Sequence, residues 1–290
     1  MSTTDIRKQI YLDRINQCEA IVRRHYTDRL FSQLMRHLYS FFIAKNLGKT
    51  HLHWRFSPEI EQNFQQVFDT NLVLDRVYDG EYHQIHQKIS KWIYFSLADQ
   101  DWEKIYRLDW IFNPDNLALF KRAYRLTEHT PQFRQATGIR VALHIRRGDV
   151  KSYYPRFTSM SFFVETVQKI NRLVGDHPIT GTNKCTFLIY SDSSIELDSM
   201  STKDLNNIIP CSNADLLPTM HDMVKADILV ISLGSNMSHF AGLLNEGIVY
   251  FDQTRRLEHQ RTASNNYYSG WSNWTGDPHH LADQISRLAC

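Results

Sequence analysis

The chain has 290 residues, 42% of them hydrophobic and 22% charged, a globular composition that excludes disorder and suffices for one large domain or two smaller ones. Its 33 basic and 31 acidic residues leave a net charge of +2, so the bulk charge supports no nucleic-acid role and any anion site has to be local. Cys18, Cys185, Cys211 and Cys290 show no CxxC spacing, which excludes a disulfide scaffold or structural zinc site and fits reduced thiols in a cytoplasmic protein.

In chain order, Ala20–Arg24 reads as a short strand. After the polar Tyr26-Thr27-Asp28, a helix is expected from Arg29. Its apolar residues Phe31, Leu34, Leu38, Phe41 and Phe42 recur at three- and four-residue steps, and Gly48 is placed to end it. Thr50–Trp54 reads as the next strand. Between Phe56 and Glu128 the pattern is weak, except for a helix started by Asn113-Pro114 and continued by Leu117, Phe120 and Tyr124.

The second half is clearer. Val141–Ile145, Thr186–Tyr190, Asp227–Ile231 and Ile248–Phe251 are compact apolar runs of strand length. Phe162, Phe163, Val167, Ile170 and Val174 form a helical stripe. Asn236–Glu246 is expected to be a helix with Gly247 at the C′ position, and a last helix is expected near His280–Leu288. Such alternation predicts an α/β fold whose parallel sheets are covered on both faces and bind ligands beyond the strands' carboxyl ends. A boundary is expected within Thr130–Gly138, dividing an N-terminal lobe, 1–135, from a C-terminal lobe, 136–290.

Three segments fall at those strand ends. In His144-Ile145-Arg146-Arg147-Gly148-Asp149, alternation puts His144 and Arg146 on one face and Val141, Leu143 and Ile145 on the other. Two guanidinium groups there suit a diphosphate, because their N–H forks match paired oxygens. Tyr190-Ser191-Asp192-Ser193-Ser194 offers a carboxylate among hydroxyls, which suits a ribose, base edge or sugar and equally a turn. Ser232-Leu233-Gly234-Ser235-Asn236-Met237-Ser238 precedes a helix, where small and hydroxyl residues bring N–H groups to an anion or simply cap it. Their conjunction carries the functional reading.

The His144–Asp149 segment resembles the H-x-R-R-x-D motif of the α1,2-, α1,6- and protein O-fucosyltransferase superfamily. Ala226–Ser232 through Ser235–Ser238 to Leu244 is similar to its later strand, Ser-rich loop and helix. Tyr190-Ser191-Asp192 is similar to its intervening acidic motif, and Arg29–Gly48 to its first loop and helix. The resemblance implies a GT-B-like architecture of two Rossmann-type lobes with parallel sheets facing a cleft. It further implies inverting, metal-independent transfer of a sugar, fucose from GDP-fucose, onto a glycan acceptor, with no cofactor.

Carried over, Arg146 and Arg147 stabilise the leaving diphosphate, His144 faces the nucleotide, and Ser235 and Asn236 hold phosphate oxygens. Asp192 and Asp222 are candidates for base or ribose contacts. Ser193, Met237 and Ser238 complete the expected donor-binding set, and Asp149 joins the arginines as a candidate catalytic residue. Two departures stand out. Thr27-Asp28 replaces the family's usual Gly-Asn, and Val150–Tyr154 lacks the carboxylate that one branch places there as base. Donors such as UDP-xylose or GDP-mannose, and a non-catalytic nucleotide-sugar- or glycan-binding protein, are the alternatives.

Asp99-Gln100-Asp101 matches a DxD metal signature in a poor context. His51 and His53 share a strand face, with solvated or acceptor-contacting histidines favoured over metal ligands. The aromatic segment Tyr267–Trp274 suits sugar stacking or packing onto the domain. No apolar leader occurs at Met1–Arg7, and no run reaches the ~18 apolar residues of a membrane span. A glycan at the sequon Asn236-Met237-Ser238 would block the expected site, whereas the other sequon, Asn273-Trp274-Thr275, lies in the tail.

Overall fold

The computed structural model describes residues 9, 13, 17–18, 20–23, 29–78, 92–95, 108–125, 136, 138–148, 157–175, 185–193, 207–212, 214–232, 235–251, 272–273 and 283–284. The chain divides into two compact units, Met1–Glu128 with Ser264–Tyr267, and His129–Ala263 with Tyr268–Cys290.

In the first unit, strands β1 (Ala20–Arg23), β2 (Thr50–Trp54), β3 (Arg76–Tyr78) and β4 (Trp92–Phe95) form a parallel sheet in the order β3-β2-β1-β4. Helix α1 (Leu30–Asn46) buries the expected stripe, with Leu34, Leu38 and Phe42 each 0% exposed. It ends as its glycine dictates. Gly48 takes φ 63°, and Lys49 N–H donates to Ala44 O at 2.8 Å while Gly48 N–H donates to Lys45 O at 3.1 Å, satisfying two terminal carbonyls. Helices α2 (Pro58–Val67), α3 (Thr70–Val73), α4 (Leu108–Ile111) and α5 (Pro114–Ala123) follow. The α5 start is as expected, with Asn113 Oδ1 accepting the Asn116 N–H. Phe42, Phe64, Phe68, Phe112 and Phe120 fill this unit's core.

The second unit carries strands β5 (Ile139–His144), β6 (Cys185–Ser191), β7 (Ile208–Ser212), β8 (Ile228–Val230), β9 (Ile248–Phe251) and β10 (Ser272–Asn273). All pair in parallel, in the order β10-β9-β8-β5-β6-β7. The α/β class with parallel sheets is therefore the fold of both units. Helix α6 (Met160–Gly175) packs Phe163, Val167 and Ile170 against Val141, Leu143 and Ile145 of one sheet face, together with Ile189 and Val230. Helices α7 (Leu216–Lys225) and α8 (Asn236–Leu244) pack against each other, and α7 also meets β5.

Two local expectations are corrected. Helix α8 stops at Leu244 rather than Glu246, and Gly247 is not a left-handed C′ residue. Buried Asn245 ends the helix instead. Its Nδ2 donates to Met223 O, Val224 O and Ala226 O, and its Oδ1 accepts the Gly247 N–H. Gly247 is required by close approach, because a Cβ there would run into the Asp227 carbonyl. Of the expected last helix only Asp283 and Gln284 lie among the described residues, and both are helical.

Candidate donor site at the β5–β8 switch point

The chain leaves β5 toward β6 and β7, then returns to place β8 and β9 on its other side. Such reversals open a crevice beyond the strand ends, where open parallel sheets bind ligands. The first two segments singled out in the sequence end β5 and β6, and the third begins at Ser232 just beyond β8.

Ser232, 1% exposed, closes the switch point. Its hydroxyl donates to His144 O at 2.6 Å and accepts the Arg146 N–H at 3.1 Å. It belonged to the small-residue loop in the sequence, but its role as clasp needed the strand order. Next to it, Asp192 organises the bend. Its Oδ1 accepts the backbone N–H groups of Arg147 and Gly148, each at 2.8 Å. A Cβ on Gly148 would meet Asp192 Oδ2 at 2.8 Å, so the carboxylate lies against the bend. One Asp192 oxygen is thus committed to the loop, a positioning role not foreseen from the sequence.

The Arg147 guanidinium is fixed on two sides. Its Nη1 donates to Arg146 O at 2.9 Å, and its Cζ lies 4.3 Å from the centroid of the Phe157 ring. Its Nη2 is buried and has no hydrogen-bond partner among the described residues. Burial lowers its pKa from the ordinary arginine value, opposed by the Asp192 charge.

His144 is 6% exposed, and its Nδ1 likewise has no hydrogen-bond partner among the described residues. Burial pushes its pKa down to about 4, with Asp192 opposing and Arg146 assisting. The ring is therefore neutral at neutral pH, able to accept or donate through an unprotonated or protonated Nδ1. A buried polar atom left unmet costs ~1–3 kcal/mol. Two of them at one strand end, one on a cation, describe a place prepared for a polar ligand.

The other expected residues divide. Ser235, 3% exposed, is the α8 N-cap, its hydroxyl accepting the Ser238 N–H at 3.5 Å. The Ser238 hydroxyl turns inward to Ser235 O and Ser232 O, at 3.4 and 3.5 Å. Asn236 and Met237 are half-buried in the first turn of α8, so their positions are compatible with an anion at that helix start. Ser193 is half-buried, its N–H donating to Ser191 Oγ at 3.3 Å.

Asp222 is 0% exposed on α7, accepting the Tyr190 hydroxyl at 2.8 Å, a bond that ties helix to sheet. Asp149, the Asp99-Gln100-Asp101 signature and Thr27-Asp28 lie outside the described residues, as does the Tyr267–Trp274 segment apart from Ser272 and Asn273. His51 and His53 are 0% exposed, so they are neither solvated nor open to an acceptor. No group of three or more His, Cys, Asp or Glu side chains among the described residues is placed to hold a metal ion, and none of their helices is long and apolar enough to cross a membrane.

No family model matches this sequence, and no curated protein does. Among solved structures, POFUT1 in complex with GDP-fucose is similar at 12% identity and a TM-score of 0.49, covering 81% of this chain and 98% of that one. The Arabidopsis thaliana FUT1 in complex with GDP is similar at 9% identity and a TM-score of 0.48, covering 86% and 74%. The fucosyltransferase NodZ from Bradyrhizobium is similar at 13% identity and a TM-score of 0.45, covering 79% and 93%.

Proposed function

We propose that this chain is a fucosyltransferase-like glycosyltransferase whose second unit binds the diphosphate of a nucleotide sugar at the ends of β5, β6 and β8. The carrying observation is Arg147, with Nη1 and Cζ fixed by Arg146 O and Phe157 while buried Nη2 has no hydrogen-bond partner among the described residues. Preorganised cations of this kind act on charge as it develops, each well-aimed group contributing ~3 kcal/mol. The motif resemblance supplies the specific donor, GDP-fucose.

In the proposed inverting reaction, an acceptor hydroxyl oxygen forms a bond to the sugar's anomeric carbon. The bond from that carbon to the β-phosphate oxygen breaks, and its electron pair leaves with the nucleoside diphosphate. Arg147 and Arg146 meet the charge arriving on the phosphate, so the step calls for no metal. His144 accompanies the nucleotide, and the start of α8 at Asn236 and Met237 faces phosphate oxygens. The acceptor's proton passes to a general base, for which Asp149 is the carboxylate adjacent in sequence. The acceptor is a glycan hydroxyl, and the compartment is the cytoplasm.

Calorimetric titration with GDP and UDP tests the donor. Preferred GDP binding that is lost in Arg147→Ala supports the reading, whereas a preference for UDP replaces the fucosyl assignment with another donor. The missing carboxylate in Val150–Tyr154 favours one competing reading, a nucleotide-sugar-binding protein without turnover. Nucleotide binding with neither donor hydrolysis nor transfer across a panel of glycan acceptors would select it.

A further inference from the structure

The first unit holds a histidine cluster that the proposed donor site does not use. His37 of α1 and His51 and His53 of β2 are each 0% exposed. The His37 and His53 rings meet edge to face, 4.8 Å between centroids, walled by Phe56 and Phe64. Out of water, each ring nitrogen is a donor if protonated and an acceptor if not, so its partners count the protons.

The chain of bonds starts at Val73, whose carbonyl lies 2.9 Å from His37 Nε2. A carbonyl only accepts, so that nitrogen is protonated. His37 Nδ1 lies 3.2 Å from His53 Nδ1, and a hydrogen bond between them needs one proton. His53 Nε2 lies 3.2 Å from Glu61 Oε2, which also accepts the Phe56 N–H at 3.0 Å. An ionised carboxylate only accepts, so His53 Nε2 is protonated as well. With acceptors at both ends, the two rings hold three protons, one more than two neutral imidazoles.

We infer that His37 and His53 share one bound proton in the folded protein and form, with the Glu61 carboxylate, a buried ion pair joining α1, β2 and α2. The pair dissolves when that proton leaves at alkaline pH.

The surroundings agree with the count. Burial raises the Glu61 carboxyl, but the His53 hydrogen bond and charge, with bonds from Phe56 and Gln65, outweigh it and leave the pKa below its ordinary value. Glu61 is therefore the ionised partner and the proton sits on the rings. The His51 ring meets that of His37 edge to face, 4.9 Å between centroids, and hydrogen-bonds to Ser40. Ser40 donates its hydroxyl proton to His37 O at 2.9 Å and so accepts from His51 Nε2, also at 2.9 Å. Asp75 takes the His51 backbone N–H at 2.9 Å rather than an imidazole. Arg36, beside His37 on α1, is half-buried. The remaining ring neighbour of His37 on its own helix is Phe41.

The sign of the linkage follows. The proton contributes stability while the pair holds it, and that contribution is lost once rising pH removes it. Glu61, held low, contributes above its ordinary value and loses its share as pH falls through the depressed one. The pair is thus intact in the window between the two folded values.

Imidazole nitrogen NMR on the full chain, 15N-labelled at histidine, tests this directly. At neutral pH three of the four ring nitrogens of His37 and His53 are expected to carry protons. In Glu61→Gln the amide can donate to His53 Nε2, the chain needs only two protons, and two protonated ring nitrogens are expected. Two neutral rings in the wild type at neutral pH overturn the inference, as does an unchanged proton count in E61Q. If E61Q does not fold, the wild-type titration decides alone, accompanied by a urea midpoint that falls on alkalinisation if the inference holds and stays level if it does not.

Discussion

Asp192, at the end of β6, governs Arg147, at the end of β5, through the main chain. The oxygen that accepts the Arg147 N–H at 2.8 Å also accepts the Gly148 N–H at 2.8 Å. The carboxylate therefore sets the backbone from which the guanidinium is aimed. Replacing it with alanine removes two charge-assisted bonds from an exposed loop. Asp192→Ala is expected to weaken GDP binding by about tenfold with little change in Tm, and Asp192→Asn to lie between. Unchanged affinity by calorimetry would remove Asp192 from the site.

Gly148→Ala places a Cβ 2.8 Å from Asp192 Oδ2, so the carboxylate has to move. The expected loss of GDP affinity matches that of Asp192→Ala. The double variant should be no worse than either alone, because both break one relationship. Additive losses would show that the glycine serves some other need.

Ser232→Ala leaves the buried His144 carbonyl and the Arg146 N–H without their shared partner. The expected destabilisation is ~1–3 kcal/mol, read as a lower urea midpoint at constant slope. Ser232→Thr, which keeps the hydroxyl, should recover part of it.

Phe157→Leu keeps apolar bulk but removes the ring face 4.3 Å from the Arg147 Cζ. A lost cation–π contact of ~1 kcal/mol corresponds to about fivefold weaker GDP binding. The salt dependence of binding should keep its slope, since the number of charges meeting phosphate is unchanged. A shallower slope would mean that the guanidinium had left the site.

Acid pH should destabilise the second unit through His144. Its folded pKa of about 4 lies below the ordinary value, so the unfolded chain binds the proton first. Stability therefore falls as pH drops from ~6.5 toward 4, by up to ~3 kcal/mol. His144→Gln should flatten that part of the urea-midpoint profile, and an equally steep profile would deny the histidine this role.

The sequence made the second unit largely legible because its strands are buried on both faces. Val141–Ile145 and Thr186–Tyr190 read as continuous apolar runs, and the α6 stripe is complete. Less was legible where a segment's pattern is short or mixed. Strand β7, Ile208–Ser212, contains Pro210 and sits at the sheet edge, where proline is tolerated but misleads. Helix α2 shows few apolar residues, since only Phe64 and Val67 are buried.

Among site residues, Arg147 and His144 could be placed from strand-end position and alternation. Asp192 and Asp222 could not be told apart, because each is an aspartate near hydroxyls in sequence. Only the folded chain separates the one at the bend from the one beneath Tyr190. Ser238 misled for a related reason: a serine that bonds its own loop carbonyls looks, in sequence, like one offered to a ligand.

The β5–β8 junction is pinned at both ends. Beyond the lower end, Asp227 accepts the Arg140 N–H at 2.8 Å and its guanidinium at 2.9 and 2.8 Å, while Ser232 closes the upper end. Sliding β8 by one residue would break both and turn Ile228 and Val230 away from the α6 face. Only one alignment of these strands satisfies the charges below, the apolar layer between and the hydroxyl above. That alignment brings Ser232 to His144 and Arg146, so the sheet's registry and the geometry of the mouth are decided together.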